Sequence, residues 1–419
     1  MSYHKSQVYR PFEAISRETN TLNIIYTGWT FSFMKWSQPI QKHALSLTLT
    51  FTVFYLISTV ATIFLLTAKN AYSEIVVTPN KTPAVVSVTP TPTPDPLAPF
   101  GVLLLGYRGD GSRGGTLTDT MLVAQVAPRQ KKIYLISIPR DLWVSLESEK
   151  TIFHNFKINA AYAVGSDERN YPDKPEKYTG RAGGGVMAKE IVQKVTGLTI
   201  PYFVSVNFDA FTRTIDTLGG VDVNVSKSLD DPFFPITGEE NNTCGKSQEE
   251  ITALTATLSA QLLEESFPCR FEEVKVAPGV NHMDGTLALK FARSRHAKDD
   301  GSDFARSERQ KEVILAARDK IFSVGFLSKI IPFIQSLAGS VQTDMNITDM
   351  QKFISNAQEY RGYSVSSIAL STKNVLKETY SNDRQYILVA TSGEGDFTAI
   401  HEFLQEKMNP VVATPSATP

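Results

Sequence analysis

The residues best suited to handling phosphate fall in three places. The densest is Phe291-Ala-Arg-Ser-Arg-His296, followed by Asp303-Phe-Ala-Arg-Ser-Glu-Arg-Gln310. Arg293 and Arg295 are two apart, so on extended backbone they point to one side. Asp303, Arg306 and Gln310 are spaced i, i+3, i+7, which puts them on one face of a helix. Guanidinium forks offer parallel donors at fixed geometry and match phosphate oxygens. The same spacing also suits a solvated helix start laced with ion pairs. Ser137-Ile-Pro-Arg-Asp141 is the second place: Arg140 and Asp141 follow the end of an apolar run, where α/β sites gather. The third is Leu117-Thr-Asp-Thr120. Asp119 there suits either a turn or a hard cation, since magnesium needs only one or two carboxylates plus substrate phosphate.

Other chemistries fit less well. Gly106–Gly115 is glycine-rich but is neither a P-loop nor a dinucleotide fingerprint, and no Gly-x-Ser-x-Gly elbow exists. The six histidines lack metal-ligand spacing, and two cysteines are too few for a four-cysteine zinc site. His282 and His296 lie near the basic cluster and read as surface or core residues. A formal net charge of −1 argues against a general nucleic-acid binder. With 42% hydrophobic and 20% charged residues, the chain is neither globally disordered nor a coiled coil.

The elements that must position these groups alternate. Strands are expected at 102–105, 121–126, 132–138, 202–206 and 221–225. Helices are expected at 183–195, at 208–218 before Gly219-Gly220, and at 303–322 with Val313, Ile314, Ala317 and Ile321 on one stripe. Thr348-x-x-Gln351 reads as a capping box that starts another. The class is α/β, with a hairpin making the sheet mixed.

The chain's apolar residues are unevenly spread. Residues 44–68 carry no charge between Lys42 and Lys69, which is long enough for one membrane-spanning helix. A buried core helix or a signal-peptide core are the other readings, but 43 residues precede the run, too many for a usual signal. Lys5, Arg10, Arg17, Lys35 and Lys42 precede it, against Lys69 and Lys81 after it, so residues 1–43 are expected in the cytoplasm. Residues 69–98, with Thr-Pro repeats, read as a semi-rigid linker holding the next domain off the bilayer. The folded, extracytoplasmic unit is expected at 99–408, with an insertion at 230–272, and 409–419 as a disordered tail. The insertion holds Cys244 and Cys269, which outside the membrane suit a disulfide, or else are two free thiols.

Seven pieces in this order resemble the LytR-CpsA-Psr family of bacterial envelope proteins. They are Leu103-Leu-Leu-Gly106, Thr118-Asp-Thr120, Ser137-Ile-Pro-Arg-Asp141, Lys157-Ile-Asn-Ala-Ala-Tyr162, Asn207-Phe208, Val221-Asp222 after two glycines, and the Arg293-to-Gln310 cluster. The resemblance covers essentially all of 99–408. It implies a central mixed β-sheet flanked by helices, with an apolar tunnel for a polyprenyl tail, behind the N-terminal span. It implies a transferase of the bacterial cell membrane. Such an enzyme moves a glycopolymer from an undecaprenyl-pyrophosphate carrier to peptidoglycan and forms a phosphodiester in cell-wall assembly. On this resemblance Arg140, Lys157, Arg293, Arg295 and Arg306 would grip the pyrophosphate, while Asp303 and Gln310 orient Arg306 or the head group. Asp119, and Asp110 with it, would hold magnesium.

Two departures stand out. Many members have arginine where this chain has Leu117, and aspartate where it has Arg108. Arg108 or Arg113 could supply the missing guanidinium. A hydrolase acting on polyprenyl pyrophosphates, and a non-enzymatic lipid-binding regulator, are the rival readings.

Overall fold

The computed structural model describes residues 25–26, 29–30, 59, 66, 69–70, 73–80, 95, 97–109, 114–298, 301, 303–321 and 341–409. The chain divides into two units, Met1–Thr67 and Ala68–Pro419. In the first, Ile25–Tyr26 pairs antiparallel with Trp29–Thr30. The span expected at 44–68 lies outside the described residues, apart from Thr59 and Leu66. Among the described residues no helix is long and apolar enough to cross a membrane. The tail at 410–419 is likewise outside them.

The second unit is built on a six-stranded mixed sheet. Its strands are β1 (Phe100–Tyr107), β2 (Thr118–Ala127), β3 (Lys132–Ser137), β4 (Tyr202–Asn207), β5 (Val341–Thr343) and β6 (Ser364–Ala369), in the order β5-β4-β1-β2-β3-β6. The β1–β2 and β2–β3 pairs are antiparallel hairpin neighbours, while β4 and β6 add in parallel, as the crossovers before them require. The expected strands are all present, and β1 and β2 run longer than the apolar pattern suggested. The β2 extension matters, because Asp119 is therefore a strand residue rather than a turn residue.

Alternate residues of β1 face a core on one side of the sheet. Leu103, Leu105, Val123 and Ile136 pack there with Val192 and Val195 of the helix Gly183–Thr196. Gly185 of that helix lies against Phe203, whose ring carbon Cζ would be 2.1 Å from an added Cβ. Gly185 is thus what lets the helix lie close on β4, while Gly183 and Gly184 make room for the segments around Tyr178, Gly165 and Tyr162. Each such buried aliphatic side chain contributes on the order of 2 kcal/mol.

A second core holds the elements that carry the basic cluster. Val221–Val225 pairs with Gly279–Met283, and Leu229–Pro235 with Phe271–Val276, both antiparallel. Their inward residues Val223, Leu229 and Val274 meet Ala288 and Phe291 of one helix and Val313 of another. In chain order the helices around this core are α1 (Phe208–Thr217), α2 (Gly285–Arg293) and α3 (Asp303–Ile321).

Several expectations are corrected. Arg293 and Arg295 are not on extended strand: Arg293 ends α2, and Arg295 lies in the loop after it. The helix near 348 is Ile347–Ser355, and the capping side chain is Asn346, whose Oδ1 accepts the Asp349 N–H at 3.0 Å. The pattern pointed to Thr348 because Gln351 follows it by three. The 230–272 insertion is rooted in the strand pair just described, carries short helices Gln248–Thr257 and Ala260–Glu265, and is closed by a Cys244–Cys269 disulfide. Residues 73–80, inside the expected linker, lie on the folded unit. Val76 bridges Thr343, and Asn80 Nδ2 donates to Thr179 Oγ1 at 2.8 Å.

Candidate functional site

The site is assembled from strand ends on one side and helix ends on the other. Asp119 enters at the start of β2, anchored by Thr118, whose N–H and hydroxyl both reach the Asn159 carbonyl. The turn after β3 is stitched back to the sheet: the Ile138 N–H donates to Met121 O at 3.0 Å. That fixes Arg140, which donates from Nη1 to Asp119 Oδ1 at 3.1 Å. Its Nε lies 3.5 Å from Asp141 Oδ2, and Asp141 Oδ1 accepts from Lys157 Nζ at 2.7 Å. Lys157, Asp141, Arg140 and Asp119 thus form one chain of alternating charge.

The opposite wall is more deeply buried. Asn207 caps α1 by accepting the Ala210 N–H at 2.8 Å, which leaves Phe208 as the first helical residue. The Arg293 guanidinium stacks over the Phe208 ring at 4.1 Å and lies 5.7 Å from the Phe234 centroid. Its Nη2 is 4.0 Å from Asp119 Oδ2. Burial holds the Arg293 guanidinium below the usual arginine range; Asp119 opposes that shift and Arg108 adds to it. An anion entering here would relieve a cation already partly stripped of water.

Two residues absent from the sequence reading hold this wall. Asp231 is fully buried. Its Oδ2 accepts from Ser294 Oγ at 2.6 Å and from the N–H groups of Arg295 and His296 at 3.2 Å each. Arg309 of α3 donates from Nε to Phe291 O at 3.1 Å and from Nη2 to Ser294 O at 2.6 Å. It thereby caps the C-terminal end of α2, where a cation is favoured. Nothing in the local pattern marked Asp231, one of two aspartates before a proline, because its partners are 63 to 65 residues away. Arg309 was visible as a second arginine in the α3 motif, but not as a cap.

Between the walls lies a cavity of about 190 Å³, lined by Arg108, Arg140, Arg293, Arg295, Arg306 and Asp119, with His296 and Gln310. Five guanidinium groups face one carboxylate there. An adjoining cavity of about 230 Å³ is lined mainly by apolar side chains, among them Leu104, Leu122, Val204, Phe208, Phe211 and Ile314. Thr120, Arg293 and Gln310 line both cavities. A cationic chamber therefore opens beside an oily one, with three residues at the boundary.

Of the residues expected at the site, Arg140, Arg293, Arg295, Arg306, Gln310 and Asp119 come together around the cationic cavity. Lys157 does not line it and instead stands behind Arg140, bound to Asp141. Asp303 begins α3, with its side chain outside the described residues, and Asp110 and Arg113 are outside them altogether. Arg108 lines the cavity and also pairs with Glu240 of the insertion at 3.1 Å. His296, expected at the surface or in the core, is exposed and lines the cavity.

Magnesium is compatible with this donor set in one arrangement only. Among the described residues no group of three or more His, Cys, Asp or Glu is gathered for a metal cage. Asp119 is a carboxylate on the wall of an arginine-lined cavity, which would suit a magnesium ion completed by phosphate oxygens and water.

The LytR_cpsA_psr family model matches residues 62–395. Biofilm regulatory protein A of Streptococcus mutans is 27% identical over 303 residues, which cover 71% of this chain and 61% of that protein. The polyisoprenyl-teichoic acid–peptidoglycan teichoic acid transferase TagV of Bacillus subtilis is 28% identical over 254 residues, 60% of this chain and 51% of that one. The matches thus span between half and two thirds of these relatives' length. The crystal structure of B. subtilis TagV aligns with a TM-score of 0.46 and 23% identity, over 74% of this chain and 97% of that one.

Proposed function

The chain belongs to the LytR_cpsA_psr family, and from that premise we propose that it is a membrane-anchored glycopolymer transferase. It takes the polymer from a polyprenyl-pyrophosphate carrier, undecaprenyl pyrophosphate, and joins it to peptidoglycan through a phosphodiester. The observation that carries this reading is the boundary at Arg293, Gln310 and Thr120, where the five-arginine cavity meets the apolar one. A polyprenyl pyrophosphate has that same two-part chemistry. The name of the B. subtilis relative, a polyisoprenyl-teichoic acid–peptidoglycan transferase, supports the same class.

In this mechanism the apolar cavity is the start of a tunnel for the first isoprene units. The pyrophosphate lies among Arg140, Arg293, Arg295 and Arg306. An acceptor hydroxyl attacks the phosphorus next to the sugar, the phosphate–phosphate bond breaks, and polyprenyl phosphate leaves with the electron pair. Negative charge grows on the bridging and leaving oxygens, and fixed guanidinium groups stabilise it without reorganising. Phe208 and Phe234 keep Arg293 short of water, which strengthens its pull on that charge. Magnesium, when bound, would be held by Asp119 with donor phosphate oxygens and would add to the neutralisation. The span at 44–68 fixes the protein in the bacterial membrane where the carrier resides, with 1–43 in the cytoplasm and the folded unit outside.

The test is reconstitution of the full chain with a polyprenyl-pyrophosphate-linked oligosaccharide and peptidoglycan. The expected result is a phosphodiester-linked product and polyprenyl phosphate in equal amounts. Arg293→Ala is expected to slow this about 100-fold or more, and Asp119→Asn to raise the magnesium concentration needed for half-maximal rate. Polyprenyl phosphate released with no linked product would assign a hydrolase instead. An unchanged magnesium titration would remove Asp119 from the metal site.

A further inference from the structure

A third cavity, of about 390 Å³, shares His296 with the arginine cavity. Its walls include Phe233 and Phe271 from the strand pair, Glu264 and Glu265 from the insertion, and Lys298 after the basic loop. The volume falls in the range of small-ligand sites. Two carboxylates at the mouth disfavour an anion and favour a ligand rich in hydroxyl donors. Lys298 is already engaged by Asp230 at 2.8 Å. The Phe233 and Phe271 rings meet edge to face, with centroids 5.9 Å apart, and offer apolar surface. Hydroxyl donors beside an apolar face describe one sugar unit, whose C–H face packs on aromatic carbon.

Position gives the cavity its meaning. His296 lines both cavities, and its backbone N–H is fixed on the fully buried Asp231. The Glu264 and Glu265 wall belongs to a segment tied by the Cys244–Cys269 disulfide and, through Glu240, to Arg108 of the arginine cavity. A sugar seated among Phe271, Glu264 and Glu265 would meet a donor phosphate at His296.

We propose that this third cavity is the acceptor subsite of the transfer proposed above, that it takes a sugar of the wall glycan, and that His296 receives the hydroxyl proton. The inference rests on that transferase reading. The acceptor oxygen bonds to the sugar-side phosphorus as the anhydride P–O bond breaks. The electron pair leaves on polyprenyl phosphate, and the proton moves to the His296 imidazole and then to water.

The test uses the full chain in phosphatidylglycerol vesicles, with a short-chain polyprenyl-pyrophosphate disaccharide as donor and soluble peptidoglycan glycan chains as acceptor. Glu264 and Glu265 are exposed, so the double variant Glu264→Gln/Glu265→Gln leaves the core untouched. It is expected to raise the acceptor KM about tenfold or more, with donor KM unchanged. His296→Gln keeps the backbone bond to Asp231 and is expected to lower kcat of transfer about 100-fold at unchanged donor KM. An acceptor KM within twofold of wild type in the double variant overturns the subsite while leaving the transferase reading intact. Wild-type kcat in His296→Gln overturns the proton route. If the unaltered protein releases no polyprenyl phosphate at all, the transferase reading falls, and the subsite falls with it.

Discussion

Arginines line both walls of the cationic cavity, but the two walls are built on opposite terms. Arg140 is 40% exposed and held by carboxylates that are themselves partly exposed. Arg293 stacks on an aromatic ring, and the loop that follows it is gathered by buried Asp231 and Arg309. The first wall is an ion-pair chain in contact with solvent, which can rearrange as an anion arrives. The second is set before the substrate comes, because Asp231 and Arg309 already hold the backbone and hydroxyl of the loop behind it. Identical residue types therefore divide the work: one wall adapts and the other waits in place.

Removing the anchor of the preset wall should do the most harm. In Asp231→Ala the Ser294 hydroxyl and the Arg295 and His296 N–H groups lose their shared acceptor. A cost of about 3 kcal/mol is expected, read as a fall of about 4 °C in the thermal midpoint, together with loss of transfer. A thermal midpoint equal to wild type would mean that Asp231 does not hold the loop. Arg140→Ala should separate the two walls next. Its partners are partly exposed, so the midpoint should move by no more than about 2 °C, while transfer falls about 100-fold. Full activity in that variant would take Arg140 out of the site. Lys157→Ala should have the smallest effect. It touches Asp141 and not the cavity, so a loss of about fivefold in kcat/KM is expected. A loss as large as that of Arg140→Ala would place Lys157 on the substrate itself.

The same contrast governs what could be read from the sequence. Arg306 and Gln310 were legible because a helix puts i and i+4 on one face, and both line the cavity. Arg293 and Arg295 were grouped correctly for a mistaken reason: they converge across a helix end and a loop, not along a strand. The sheet strands were legible from apolar runs, whereas the edge strand β6 and Leu376–Tyr380 carried too little apolar pattern to stand out; Tyr386–Ala390, apolar throughout, was legible and passed over. Asp231 and the placement of Lys157 were beyond local reading, since both depend on partners brought close only by the tertiary fold.

The docking of residues 73–80 has a practical bearing on where the domain begins. β5 is only three residues long and lies at the end of the sheet order. Val76 bridges it in parallel at Thr343, the Val77 N–H donates to Thr343 O at 2.8 Å, and the Val77 side chain is buried in the main core. A polypeptide started at the Thr/Pro stretch would leave that strand with bare amide and carbonyl groups beside an emptied apolar socket. Such a margin is a template for pairing with another copy. The shortest well-behaved soluble version of this protein should therefore start at or before Ser73, and one started at Pro99 should self-associate.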